Sequence, residues 1–489
     1  MNLLSWLTTP ESRPKRIPIG GLDLDTPLLY LSPNDPWRIR DSFEGSAVMG
    51  QTGSGKSTGS GATLARAFLA QGYGGMVLTS KPQERRLWES YARETGRSDS
   101  LLIVSPSEPW RLNFVDYEAR RPGRGGGLTE NLTRLFSEAM EVAERRSAER
   151  EDFWSRAARQ LLRNAIDLLL LSRGRVTLPG IYEIIVSAPT DPEQLRSADF
   201  RNSSTCMRCL LEGERLPRSP EQKQDWKIMS DFWLREFLQL SPRTRSCVVS
   251  TVTTLIDPLL RGVMHTLFAT TTNFVPEVIH EGAVVILDLP VLEFGSVGQL
   301  CQVLFKFLFQ RSTERRDLAR HGTPVFLWAD EAQHFVTSHD AIFQSTARSA
   351  CVATVYLTQS LPGYLATIGA GGNGSAFVHA LMGNLATKIF HANTCSQTNH
   401  WAAETIARQW QIRGNAGTSL SDDERGCSRT SRSIGSSEAL DFQVEPHEFT
   451  LLRKGGPENG GCVDAIVFQG GRIFNESKKN HLKVCFTQR

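Results

Sequence analysis

The sequence predicts an α/β fold: a central, mostly parallel sheet divided by an inserted all-helical domain. Three observations predict it. Short apolar runs of strand length alternate with helical spacing near the amino terminus and again after residue 283. Between them, from Glu130 to about Gln239, helical spacing continues with little strand patterning. A glycine-rich turn sits between an apolar run and a helix early in the chain. The 489 residues correspond to about three domain-sized units, or one large domain with an insertion. With 40% hydrophobic and 22% charged residues, the composition excludes a wholly disordered chain. The formal net charge of +3 excludes a basic field over the whole surface. Any nucleic-acid contact must come from a local patch or a ring of subunits.

The elements follow in order. Residues 1–40 are Pro-rich and read as an amino-terminal arm with one strand near Leu28–Leu31. Ser46–Met49 is a buried strand ending at Gly50, Thr58–Ala70 a helix closed by Gly72–Gly75, Met76–Thr79 the next strand and Leu101–Val104 a third. Residues 41–115 are thus the first part of the sheet domain. Residues 116–245 form the all-α insertion. It opens on the basic, Gly-rich loop Arg120–Gly127, and Phe153–Leu171 is its most regular helix. Within it, Trp154 and Trp233 are expected to anchor the core. Residues 246–489 return to the sheet. Strands are expected at Ala283–Leu287, Val325–Ala329, Val352–Leu357 and Thr387–His391, and a final one at Val463–Phe468. Helices fall at Val297–Phe309, near Asp340–Arg348 and near Ala376–Leu385. Residues 415–437, rich in Ser, Gly and Arg, read as a flexible loop.

No apolar run approaches the roughly 20 residues that span a bilayer, so no transmembrane segment is expected. The amino terminus is not a secretory signal. Nine cysteines, scattered from Cys206 to Cys485, read as reduced thiols of a cytoplasmic protein. Cys206 and Cys209 have zinc-ligand spacing, but no second close Cys/His pair accompanies them, and no zinc site is assigned.

The chemistry starts at Gly50-Gln51-Thr52-Gly53-Ser54-Gly55-Lys56-Ser57, which fits G-x-x-x-x-G-K-[ST]. The glycines let consecutive N–H groups turn toward phosphate oxygens. Lys56 is expected to reach the β- and γ-phosphates of ATP, Ser57 to ligate Mg²⁺, and the helix start at Thr58 to add its dipole. Such a loop needs an acid at the end of a neighbouring strand. Asp288 and Asp330 both qualify, but only Asp330 carries a second carboxylate beside it. Asp330 is therefore assigned to Mg²⁺ and Glu331 to the attacking water. The 274 residues from Lys56 to Asp330 match the helical block. Gln359, at the tip of the following strand, is the candidate γ-phosphate sensor. Arg348 lies 18 residues past Asp330; its spacing alone reads as a solvated helix arginine, with a position facing a neighbouring subunit's nucleotide as the alternative. Asp288 is left as a polar strand end and His334 as structural. The segment Ser80-Lys81-Pro82-Gln83-Glu84 is given no catalytic role.

GQTGSGKS, FWSRAARQLL, WADEAQHF, YLTQS and LMGNLATKIFHANT occur in this order from Ser46 to Phe468. In this the chain resembles the TraG/TraD-like type IV coupling proteins, of the FtsK/HerA branch of RecA-like P-loop motor ATPases. The resemblance implies an ATP-driven hexamer that moves single- or double-stranded DNA, or nucleoprotein, through a central channel. It implies that the all-α domain meets relaxosome, secretion-channel or adaptor proteins, and that Arg348 matches the family's arginine finger. Membrane-bound members carry amino-terminal transmembrane helices, so this chain is expected to be recruited to the inner face of the membrane by a partner. A HerA-like DNA-processing or defence ATPase, and a coupling ATPase for protein effectors, are the alternatives. Four basic segments are candidates for the channel: Arg120–Arg124, Arg145–Arg150, Arg243–Arg245 and Arg425–Arg432.

Overall fold

The computed structural model describes residues 23–144, 152–368, 372–422 and 428–488. The amino-terminal arm before residue 23, the whole Arg145–Arg150 run and residues 425–427 of Arg425–Arg432 lie outside the described residues, as does the side chain of Trp154.

Among the described residues, β1 (Pro27–Ser32) and β2 (Asp35–Arg38) pair as a small antiparallel ribbon. The main sheet has nine strands. They are β3 (Ser46–Met49), β4 (Gly74–Leu78), β5 (Leu101–Val104), β6 (Val284–Leu287), β7 (Val325–Ala329), β8 (Val352–Thr358), β9 (Thr387–Phe390), β12 (Cys462–Gln469) and β13 (His481–Thr487). Their order is β13-β12-β9-β3-β8-β7-β4-β6-β5. Strands β9 to β5 in that order are parallel, and β12 and β13 close one edge as an antiparallel hairpin. Parallel strands need both faces covered, and alternate residues supply them. Phe326 and Trp328 of β7 pack with Trp88, Phe68 and Tyr73 on one face. Val325, Leu327 and Ala329 face the core that the inserted helices share. Gly75 of β4 is fixed by this packing, because a Cβ there would meet the Phe326 ring at 2.0 Å.

Helices occupy the chain between β5 and β6, from Phe114–Arg120 to Gly262–Phe268. The longest, Asp152–Arg173, buries Leu161, Leu162, Ile166 and Leu169. Trp233 is fully buried and donates its indole N–H to the Asn164 carbonyl at 3.2 Å. Cys206 and Cys209 are buried in the helix Thr205–Glu214, where they fill space.

The structure corrects the sequence reading at four places. Of residues 415–437, the described ones, 415–422 and 428–437, lie in β10 (Arg408–Asp422) and β11 (Ser428–Phe442), which pair antiparallel along their length. The ribbon buries little, so its order comes from the backbone ladder, which composition does not report. The strand β13 follows the one expected to be last. Cys462 and Cys485, brought together across β12 and β13, form a disulfide, so not every thiol is free. Finally, the helix Val291–Glu314 is long and apolar enough to cross a bilayer. It is mostly buried against the sheet and carries the fully buried Lys306, which marks it as a core helix.

Three buried histidines make stability pH-dependent. Burial pushes His280 down to about 3 and His339 and His391 down to about 4. The folded chain therefore excludes protons that the unfolded chain binds near pH 6.5. Their contribution is complete above that value and is lost as pH falls toward 4, at about 3 kcal/mol for a fully buried ring such as His391. Denaturant midpoints are expected to drop steeply between pH 6.5 and 4, and His280→Asn to flatten part of that slope.

Candidate active site

The site sits at the carboxyl end of the parallel strands, where β3, β8, β7 and β4 end side by side. The turn after β3 is positioned at its root. Gly50 N–H donates to the Thr358 carbonyl at 3.2 Å, and Gln51 N–H to the Ala392 carbonyl at 3.0 Å. A Cβ on Gly50 would lie 2.4 Å from Ser54 Oγ, and Gly53 and Gly55 hold φ values of +74° and +82°. These glycines are therefore required by the turn. The following helix begins as a π-turn at Ser57–Gly61 before becoming α-helical at Ala62–Ala70, with Gly59 packed under Val463 of β12. Thr58 Oγ1 accepts from Gln488 Nε2 at 2.6 Å, which ties the end of the described chain to the turn.

Residues 273 apart in the chain meet here: Ser57 Oγ donates to Asp330 Oδ2 at 2.7 Å. Lys56 Nζ lies 3.5 Å from Glu331 Oε1. Gln359 bridges the two halves, its Nε2 donating to Glu331 Oε1 at 3.0 Å and its Oε1 accepting from Thr52 Oγ1 at 3.1 Å. Glu331 follows the strand end with φ +51°, a left-handed conformation that turns the chain out of β7. Burial pushes its carboxyl up, but Lys56, Gln359, Gln333 and Lys81 outweigh that and hold it at about 2.

Two of these groups had no place in the sequence reading. Gln333 Nε2 donates to Glu331 Oε2 at 3.0 Å while its Oε1 accepts from Thr358 Oγ1 at 2.9 Å. Lys81, in the segment given no role, places Nζ 3.2 Å from Glu331 Oε1 and 3.9 Å from Asp330 Oδ2. No motif in the sequence marks it: Lys81 reaches the acids because it lies just beyond β4, and β4 is hydrogen-bonded to β7. Glu84 closes that loop by accepting from Ser80 N and Oγ, and burial together with the Asp330 charge pushes its carboxyl up to about 8.

Asp288, the other strand-end acid, is engaged by Arg85 at 3.1 Å. Arg348 does not join this constellation. It is exposed and pairs at 3.3 Å with Glu44, which precedes β3 and so lies at the opposite end of that strand from the turn. Among the basic segments, Arg121 is turned inward onto Glu118 and braces its loop through the Gly125 carbonyl.

The residues fit a magnesium-bound phosphate chain. Ser54 Oγ is buried in the turn without a protein partner, and the Ser57 hydroxyl and Asp330 carboxylate form a hard-oxygen pair of the kind Mg²⁺ takes.

A parallel sheet with a Gly-Lys-Ser turn joined to a strand-end Asp-Glu pair defines a RecA-like P-loop nucleoside triphosphatase. Residues 23–334 match the family model described as type IV secretory system conjugative DNA transfer, and the chain belongs to that family. Among solved structures, it is similar to the bacterial conjugative coupling protein TrwBdeltaN70 in an unbound form. The identity is 14% and the TM-score 0.60, over 96% of this chain and 91% of that one. It is likewise similar to TrwB in complex with ADP and Mg²⁺ (14%, 0.60, 93% and 88%) and with a non-hydrolysable ATP analogue (14%, 0.59, 96% and 90%). At this identity the likeness shows the fold. No match was found among curated proteins.

Proposed function

We propose that this chain is an ATP-hydrolysing motor of conjugative transfer, working as a hexamer that drives DNA or nucleoprotein through a central channel. The observation that carries the reading is the Ser57–Asp330 contact, which joins the phosphate turn to the acidic pair in a member of this family. The TrwB complexes with ADP and Mg²⁺ and with non-hydrolysable ATP and GTP analogues support a magnesium–nucleoside triphosphate site.

Each residue's part follows from its atoms. The turn N–H groups and Lys56 bind the β- and γ-phosphates. Ser57 and Asp330 hold Mg²⁺, which supplies charge neutralisation on the phosphate oxygens when bound. Glu331 orients a water and takes its proton as the water oxygen bonds to the γ-phosphorus and the β–γ bridging oxygen leaves. Gln359 touches both Thr52 and Glu331, so it relays the presence of the γ-phosphate between the turn and the base. Arg348, far from its own turn, serves the neighbouring subunit's nucleotide, so turnover depends on assembly. The all-α region, about residues 116–245, meets relaxosome or secretion-channel proteins, and a partner brings the motor to the membrane.

The test is ATP hydrolysis by the purified chain with and without DNA. Turnover is expected to rise with DNA, to weaken steeply with salt and to vanish in Lys56→Ala. Arg348→Ala is expected to keep nucleotide binding and lose roughly 10³-fold in turnover, the scale of a lost arginine finger. Hydrolysis that DNA leaves unchanged in rate and assembly overturns the translocation reading; unchanged turnover in Arg348→Ala removes that residue from the site.

A further inference from the structure

We infer that Lys81 is a positioning residue for hydrolysis: it holds the Glu331 carboxylate in place once Lys56 has moved to the phosphates. The inference rests on the hydrolytic reading above and deepens it.

Both ammonium groups converge on one atom. Lys56 Nζ is 3.5 Å and Lys81 Nζ 3.2 Å from Glu331 Oε1. Lys56 has a second duty, because its place in the turn aims it at the β- and γ-phosphates. Phosphate oxygens and the Glu331 carboxylate therefore compete for Lys56, and a bound nucleotide draws it away from Glu331. Gln359 is likewise shared, between Glu331 and Thr52 of the turn. Lys81 is not shared in this way. Its other neighbour in the site is Asp330 Oδ2 at 3.9 Å, so it bridges the two carboxylates that must stay in register.

The scaffold explains why it stays. Lys81 follows β4, which is paired with β7 from Gly74–Val325 to Leu78–Ala329, so the strand ends carrying Lys81 and Glu331 are adjacent. The loop is locked from within: buried Glu84 accepts from Ser80 N at 3.0 Å and from Ser80 Oγ at 3.2 Å. The Lys81 side chain is 29% exposed, so its ammonium has access to water, yet it turns inward onto the acids. Glu331 Oε1 needs such a partner: the left-handed backbone leaves the residue outside any helix that would fix its rotamer, and Gln333, at 3.0 Å, holds only the other oxygen, Oε2. Charge leads to the same conclusion. Two carboxylates, Asp330 and Glu331, face two ammoniums, Lys56 and Lys81. A triphosphate adds negative charge, and without Lys81 the Glu331 oxygen would be left facing it with its cation withdrawn.

The experiment compares the wild-type chain with Lys81→Met, which keeps the length and removes the charge, and Lys81→Arg, which keeps the charge. ATP and Mg²⁺ are the probes for turnover, ADP for binding, and each variant's thermal midpoint is recorded. Lys81→Met is expected to lower kcat by about tenfold or more, with KM and the ADP Kd within about threefold of wild type and the thermal midpoint retained. Lys81→Arg is expected to recover at least about a third of kcat. The inference is overturned by unchanged kcat in Lys81→Met, by a rise in KM at constant kcat, or by equal losses in the two variants. A wild-type chain without turnover overturns the hydrolytic reading and this one with it. Wild-type turnover that Lys56→Ala abolishes and Lys81→Met leaves intact counts against Lys81 alone.

Discussion

Glu331→Gln should leave the chain able to bind ATP and unable to turn it over, with kcat reduced by roughly 10²- to 10⁴-fold. The amide keeps the shape of the side chain and an oxygen to accept from Gln359, Gln333 or Lys81. It cannot take a proton from water. Binding is expected to tighten. Lys56 Nζ lies 3.5 Å from the Glu331 carboxylate, and that ion pair must open before Lys56 can reach a phosphate. Both side chains are almost fully buried, so the pair competes with nucleotide more effectively than a surface pair would. A neutral amide removes the competitor. Nucleotide titration and single-turnover hydrolysis of the same preparation separate the two effects. Turnover within about threefold of wild type would place the base elsewhere, and a tenfold loss of affinity would make Glu331 a binding group instead.

The parts of this site that could be read from sequence are those whose chemistry is written in consecutive residues. Gly50–Ser57 and Asp330-Glu331 are such runs, and the strands leading into them, Ser46–Met49 and Val325–Ala329, have the boundaries their apolar patterns indicate. Lys81 was missed because its neighbours, Pro82 and Gln83, resemble no phosphate or acid motif. Its role depends on β4 lying beside β7, and that adjacency arises from strands 247 residues apart entering the sheet as neighbours. The hairpin at 408–442 was missed for the opposite reason. Its apolar residues Trp410, Ile412, Ile434 and Leu440 do recur on one face of the ribbon, but Gly, Ser and Thr separate them and none is buried. The strand His481–Thr487 alternates buried and exposed positions as a half-buried strand should, and the signal was available in its own sequence. The disulfide partners Cys462 and Cys485 were beyond reach, because which cysteines meet is decided by the register of β12 on β13.

A pair of charges beneath the site supplies the largest expected effect on stability. Lys306 lies in the middle of the core helix Val291–Glu314 and has almost no exposed surface; nor does Asp340, its partner. The Lys306 ammonium donates to Asp340 Oδ2 and, at 2.7 Å, to the Phe335 carbonyl. Asp340 also accepts from Thr337 N at 2.6 Å, Gln310 Nε2 at 2.8 Å and Tyr356 OH at 2.6 Å. Burial pushes this carboxyl up, yet Lys306 and the hydrogen bonds overcome that and hold it below the usual range. The network ties together the helix, the segment that follows Glu331 and the strand β8 that carries Gln359. Asp340→Ala leaves an ammonium in the core with its counter-charge gone, and should cost about 3–5 kcal/mol. Lys306→Met with Asp340→Ala removes both charges. It should recover much of that loss, because the penalty comes from the uncompensated charge and not from the absence of a favourable pair. The recovered protein is nevertheless expected to hydrolyse ATP more slowly than wild type. Tyr356 and Thr337 then lack the acceptor that fixes β8 against the acidic turn, and Gln359 is only three residues beyond Tyr356. Denaturant midpoints of the single and double variants decide the point: equal losses in the two would mean that the pair's charge is not what the core depends on.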